Sequence, residues 1–158
     1  MCGIAGFTHR GSPSPRLIRR STQTLGHRGP DEQNVFESRK ISIGAVRLKI
    51  IDLEGGQQPM ATESGDCVIA FNGELYNHAE LRAELKQLGH QFRSNCDTEV
   101  ALRAFVQWDV HCFQRFRGMF AAAFWQERGR RLILVRDRLG IKPLYYVLHN
   151  GSLFLVLS

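Results

Sequence analysis

Apolar residues alternate with small or polar ones near both ends of this chain and recur at helical spacing in its middle. Residues 2–8 read as a short glycine-rich apolar strand, open to close approach by backbone or ligand. Ile41, Ile43 and Ala45 alternate with smaller or polar neighbours and predict a strand over 41–47. Cys67–Phe71 is a compact apolar strand running into Asn72-Gly73. Pro15 to Leu25 reads as a helix with Pro in its first turn. Asn77 opens another, with Glu80 completing a box-like start, Leu81, Leu85 and Leu88 as its buried stripe and Gly89 as its end. A further helix begins at Asp97-Thr98 and presents Val100, Ala101, Ala104, Phe105 and Trp108 on one face, and a short helical piece covers 110–117. His27 to Asp31 and Gly55 to Pro59 read as turns or loops. After Gly118, strands over Met119–Trp125 and Leu132–Val135 join at Arg128-Gly129-Arg130, and strands over Leu144–Leu148 and Ser152–Leu157 join at Asn150-Gly151, a hairpin signal. Hairpins flanking helices predict mixed α and β structure with largely antiparallel sheets.

With 158 residues the chain fits one domain, residues 1–158. No apolar run approaches the roughly 18 residues of a membrane span. The charge of +6 comes mostly from scattered arginines and reads as a solvated basic surface, with no nucleic-acid-binding signature. Cys2, Cys67, Cys96 and Cys112 show no metal-ligand spacing, and no secretory signal precedes them, so free thiols and a cytoplasmic location are expected. The first thirty residues carry no acid, which superficially suits a transit peptide, but its cleavage would discard Cys2.

Cys2 directly follows Met1. Removal of Met1 leaves a thiol and a free α-amino group on one residue, and the amine titrates near 7.7–8.0, low enough to accept the thiol proton. The alternative is a small buried residue opening an apolar strand. Asn72 offers a side-chain donor and Gly73 an unobstructed backbone N–H, a pair suited to an oxyanion; alone, the dipeptide reads as an ordinary turn between strand and helix. Arg47, near a strand end, suits a substrate carboxylate or a solvated surface. Asp97 suits a helix N-cap or a substrate ammonium. Together these residues fit hydrolysis of an amide on an α-amino acid side chain.

Seven segments occur in the order seen in class II glutamine amidotransferases: Cys2-Gly3-Ile4, His27 to Asp31, Arg47-Leu48, Asn72 to Asn77, Asp97 to Val100, Arg117 to Phe120 and Arg136 to Tyr145. The chain most resembles the N-terminal glutaminase domain of glutamine-hydrolysing asparagine synthetase, to about Phe154. The resemblance implies an α+β N-terminal-nucleophile hydrolase fold, a four-layer αββα sandwich with two largely antiparallel sheets. It implies that Cys2 forms a γ-glutamyl thioester with L-glutamine, and that Asn72 and Gly73 hold the oxyanion. It places Arg47 on the glutamine carboxylate, Glu74 and Asp97 on the α-amino group, and the backbone of Leu48, Lys49, Ile50 and Ile51 along the pocket. No metal or organic cofactor is implied for this half-reaction. ATP and Mg²⁺ belong to the family's synthetase domain, which has no counterpart in these residues, so a separate synthetase chain is the implied partner.

Three departures stand out. Where the family continues Ala-Ser-Glu-Ile-Lys after Phe154, this chain reads Leu155-Val156-Leu157-Ser158, which reads as truncation and predicts an exposed 152–157 strand. Gln33 and Asn34 stand where the family has Gly, and Lys49 replaces a small residue. The competing readings are a non-catalytic truncated paralogue or scaffold, and an N-terminal-nucleophile hydrolase for another amide.

Overall fold

The computed structural model describes residues 2–10, 15–48 and 55–157. Two stacked antiparallel sheets dominate it. The first is ordered β2 (Glu32–Glu37), β3 (Ile41–Arg47), β1 (Gly3–Thr8), β9 (Ser152–Leu157) and β8 (Leu144–His149). The second is ordered β4 (Met60–Ala61), β5 (Cys67–Leu75), β6 (Gly118–Gln126) and β7 (Arg131–Arg136). Helix α1 (Pro15–Thr24) packs on the outer side of β1, β2 and β3, while α2 (His78–Gln87) and α3 (Asp97–Trp108) cover the second sheet. The layers therefore run helix, sheet, sheet, helices, as expected. No helix among the described residues is long and apolar enough to cross a membrane.

The period of two along each strand sorts side chains between two cores. Ile4, Ile43, Ala45, Val68, Ala70, Ala121, Ala123 and Leu155 meet between the sheets. From the same strands, Ile69, Phe71, Ala122 and Phe124 face the helices, where Phe105 of α3 lies 4.6 Å from Phe124, centroid to centroid. Burial on both faces explains why β5 and β6 read as nearly continuous apolar runs.

Several expectations are corrected. Strand β5 continues past Phe71, and Cys67 to Leu75 pair residue by residue with Gln126 to Gly118, so Asn72-Gly73 is strand rather than turn. Strands β2 and β4 escaped the sequence reading, because β2 carries mixed polar residues and β4 is two residues long. Asn77 makes no capping bond; its side chain instead receives the Arg117 N–H at 3.0 Å and donates to the Arg115 carbonyl at 3.0 Å. Leu88 is 51% exposed and lies outside the buried stripe. The expected 110–117 helix is a 3-10 turn at Asp109–Gln114. Strand β9 is not an exposed edge: it pairs β1 on one side and β8 on the other, burying Leu155 and Leu157 and leaving Phe154 and Val156 partly open on the outer face. Strand β1 lies at the centre of the same sheet.

Candidate active site

Cys2 precedes β1, and because Gly3 lies opposite Val46, one further step brings Cys2 level with Arg47 at the end of β3. Arg47 is buried and its guanidinium lies 3.4 Å from the carboxylate of Glu32 on β2, a partner the sequence reading missed. Asn34 donates to that same carboxylate at 2.6 Å, so one of the departures from the family pattern steadies the group that steadies Arg47.

The end of β5 supplies the opposite wall. Asn72 is 1% exposed, yet its side-chain nitrogen has no hydrogen-bond partner among the described residues. A buried amide donor left unpaired costs about 1–3 kcal/mol, and a ligand oxygen would relieve that. Gly73 has φ of +156°, and a Cβ there would collide with the Met119 carbonyl and Phe120 on β6. No other residue lets β5 pass this close while keeping its backbone open to the cavity. Asp97 opens α3, but its Oδ2 accepts the Leu75 N–H at 2.9 Å, tying the helix to the end of β5.

Cys2, Arg47, Leu48, Asn72, Gly73, Glu74 and Asp97 all line one cavity of about 120 Å³. It is smaller than the roughly 300–1,000 Å³ of sites for drug-sized ligands and suits a small solute. Lys49, Ile50 and Ile51 lie outside the described residues. The cavity is also lined by Gly56, Gln58, Cys96, Thr98, Met119 and Lys142, to which the sequence reading gave no role. Lys142 belongs to a segment used for the resemblance. Its loop is folded around the buried Asp137, whose carboxylate accepts the N–H groups of Phe120, Leu139, Ile141 and Lys142 at 3.1–3.2 Å. Burial works against the charge of Asp137, and these donors outweigh it and hold its carboxyl below the ordinary range.

Charge at the cavity is set by burial. Burial pushes the Cys2 thiol up; a hydrogen bond from the Leu48 backbone and the positive charge of Arg47 pull the other way without overcoming it. Burial likewise raises the carboxyl of Asp97, opposed chiefly by the Leu75 N–H. The cavity thus holds a thiol that needs a base and a carboxylate that gains from a cation.

A family profile described as a glutamine amidotransferase domain matches residues 1–158. The chain belongs to that family. Asparagine synthetase (glutamine-hydrolysing) 3 of Bacillus subtilis is 44% identical over 160 residues, covering 98% of this chain and 26% of the relative. Amidase chry2 of Gibberella zeae is 36% identical over 168 residues, covering 97% of this chain and 25% of the relative. The chain thus spans about a quarter of the length of these curated relatives and corresponds to the glutamine amidotransferase part of the asparagine synthetases. In fold it is similar to glutamine phosphoribosylpyrophosphate amidotransferase from B. subtilis, solved with ADP and GMP. That match has a TM-score of 0.80 at 18% identity and covers 98% of this chain and 41% of the other. This amidotransferase domain is therefore homologous to the glutaminase domains of asparagine synthetases.

Proposed function

We propose that the domain hydrolyses L-glutamine to glutamate and ammonia through a thioester on Cys2. The supporting observation is the meeting, in one small cavity, of Cys2, the unpartnered amide of Asn72, the buried Arg47 and the buried Asp97. Arg47 takes the glutamine carboxylate. Asp97 and Glu74 take the α-ammonium, which offsets the cost of keeping Asp97 charged. The γ-carboxamide is then presented to Cys2.

After removal of Met1, the α-amine of Cys2 accepts the thiol proton as sulfur attacks the amide carbon. Negative charge collects on the amide oxygen, which receives hydrogen bonds from Asn72 Nδ2 and the Gly73 N–H. The protonated amine gives its proton to the departing nitrogen, ammonia leaves, and a γ-glutamyl thioester remains. Water, deprotonated by the same amine, attacks the thioester; the proton returns to sulfur and glutamate is released. Nucleophile, base and oxyanion donors are all protein groups, so this route calls for no metal or organic cofactor.

The asparagine synthetases among the relatives suggest the use of the ammonia: transfer to a synthetase module that makes asparagine. Four free cysteines, Cys2 among them, suit a reducing compartment, and the cytoplasm is the setting this reading gives the domain. The test is glutamate release from glutamine by purified protein with Met1 removed. Wild type turns over and Cys2→Ala does not; equal rates for the two overturn the reading.

A further inference from the structure

Gln58 is 5% exposed in a loop that the sequence marks only as glycine- and proline-rich. Strand β4 pairs β5 at Met60–Ile69 and Ala61–Val68, and the ladder stops there. One step further, the side chain of Gln58 takes over: its Oε1 accepts the Phe71 N–H at 2.6 Å. Phe71 immediately precedes Asn72. The other end of the same amide, Nε2, donates to Thr98 Oγ1 at 3.3 Å, and Thr98 immediately follows Asp97. Two residues before Gln58, Gly56 lies so close to the Arg47 guanidinium that a Cβ would collide with it. One buried side chain therefore links the strand carrying the oxyanion donors, the helix carrying Asp97 and the loop packed on Arg47.

We infer that Gln58 is a positioning residue that sets the spacing between the carboxylate-binding and ammonium-binding walls, and so the selectivity for an α-amino acid. This rests on the glutaminase reading above. The β5–β6 ladder holds Asn72 and Gly73 opposite Ala121 and Phe120 independently of Gln58. Loss of the amide therefore disturbs the grip on the substrate head more than the attack geometry.

The experiment compares wild type with Gln58→Met, which keeps the side-chain length and removes both hydrogen bonds. Steady-state glutaminase kinetics are read alongside two labelling rates at Cys2 by intact mass: a glutamine-like electrophile and iodoacetamide. The expected result is a kcat/KM lower by roughly 10- to 100-fold, carried mainly by KM. Labelling by the glutamine-like reagent slows in parallel, and iodoacetamide labelling keeps its rate. Unchanged KM in a folded Gln58→Met overturns the inference, as does an equal loss of both labelling rates, which marks general collapse of the pocket. Should Gln58→Met not fold, Thr98→Val decides in its place: KM rises and Thr98→Ser restores it, or the inference falls. A wild type that releases no glutamate defeats the glutaminase reading and this inference with it, whereas an active wild type with an indifferent Gln58 defeats the inference alone.

Discussion

At Asn72 the fold buries a hydrogen-bond donor without a partner among the described residues, and at Asp97 it buries a carboxylate whose charge burial opposes. Both are costs that, in the proposed function, bound glutamine offsets. Asn72→Ala is expected to lower kcat by about 10²–10³-fold, the usual effect of deleting one oxyanion donor, with little change in KM. Single-turnover acylation of Cys2 measures it. Asp97 carries the opposite lesson about stability. Its folded carboxyl is raised, so the folded state binds the proton more tightly than the unfolded chain. That stability is present at low pH and is lost as pH rises through the folded value. Asp97→Asn keeps an acceptor for the Leu75 N–H and removes the charge. Its ligand-free melting temperature at pH 7 is expected to equal or exceed that of wild type. Glutamine at a hundred times its Kd is expected to stabilise wild type by about 2.7 kcal/mol and not to stabilise Asp97→Asn. A calorimetric scan with and without glutamine checks both statements. The types of these residues were legible in the sequence, whereas the burial of both and the missing partner of the Asn72 nitrogen among the described residues were not, because those depend on which neighbours the fold supplies.

Among the elements, α3 is fixed to the loop before it and to the strand connection opposite. The Glu99 carboxylate accepts the Arg93 and Ser94 N–H groups and the Ser94 hydroxyl at 2.6–3.1 Å. Arg103, one turn on, bonds both Glu99 and Glu63. The Arg103 hydrogen bond pulls the Glu63 carboxyl down to about 2. For Glu99, burial works against the charge, and these donors outweigh it. Both folded values lie below the unfolded ones. The stabilisation is therefore complete above about pH 4.5 and is lost as pH falls towards about 2. Replacing Arg103 with Met is expected to flatten that part of the stability curve and to leave its shape above pH 5 unchanged. Denaturant midpoints taken between pH 2 and pH 7 give the comparison. The helix itself was legible from the spacing of Val100, Ala101, Ala104 and Phe105. The end of β5 was read as a turn between strand and helix because Asn-Gly is a strong turn signal, and only pairing with β6 keeps these two residues in a strand.

For the whole molecule, the first sheet joins strands from opposite ends of the chain: β1 lies between β3 and β9. Leu155 is 2% exposed between the sheets, beside Ile4 and Ala123 in the same core. Leu155→Ala is expected to cost about 2–5 kcal/mol, read as a lower urea midpoint at unchanged slope. The outer face of β8 and β9, with Tyr145, Val147, Phe154 and Val156, stands open beside the area that α1 covers. What the sequence determined alone is local: alternation and helical spacing set most strands and helices, and the ordered motifs from Cys2 to Tyr145 set the family resemblance. Tertiary structure decided the rest. It made Asn72-Gly73 a strand, placed Glu32 on Arg47, set β9 between β1 and β8 and gave Gln58 hydrogen bonds to both Phe71 and Thr98. Those outcomes depend on hydrogen bonds and packing between residues far apart in the chain, and local pattern carries no information about which distant partner will meet a given side chain.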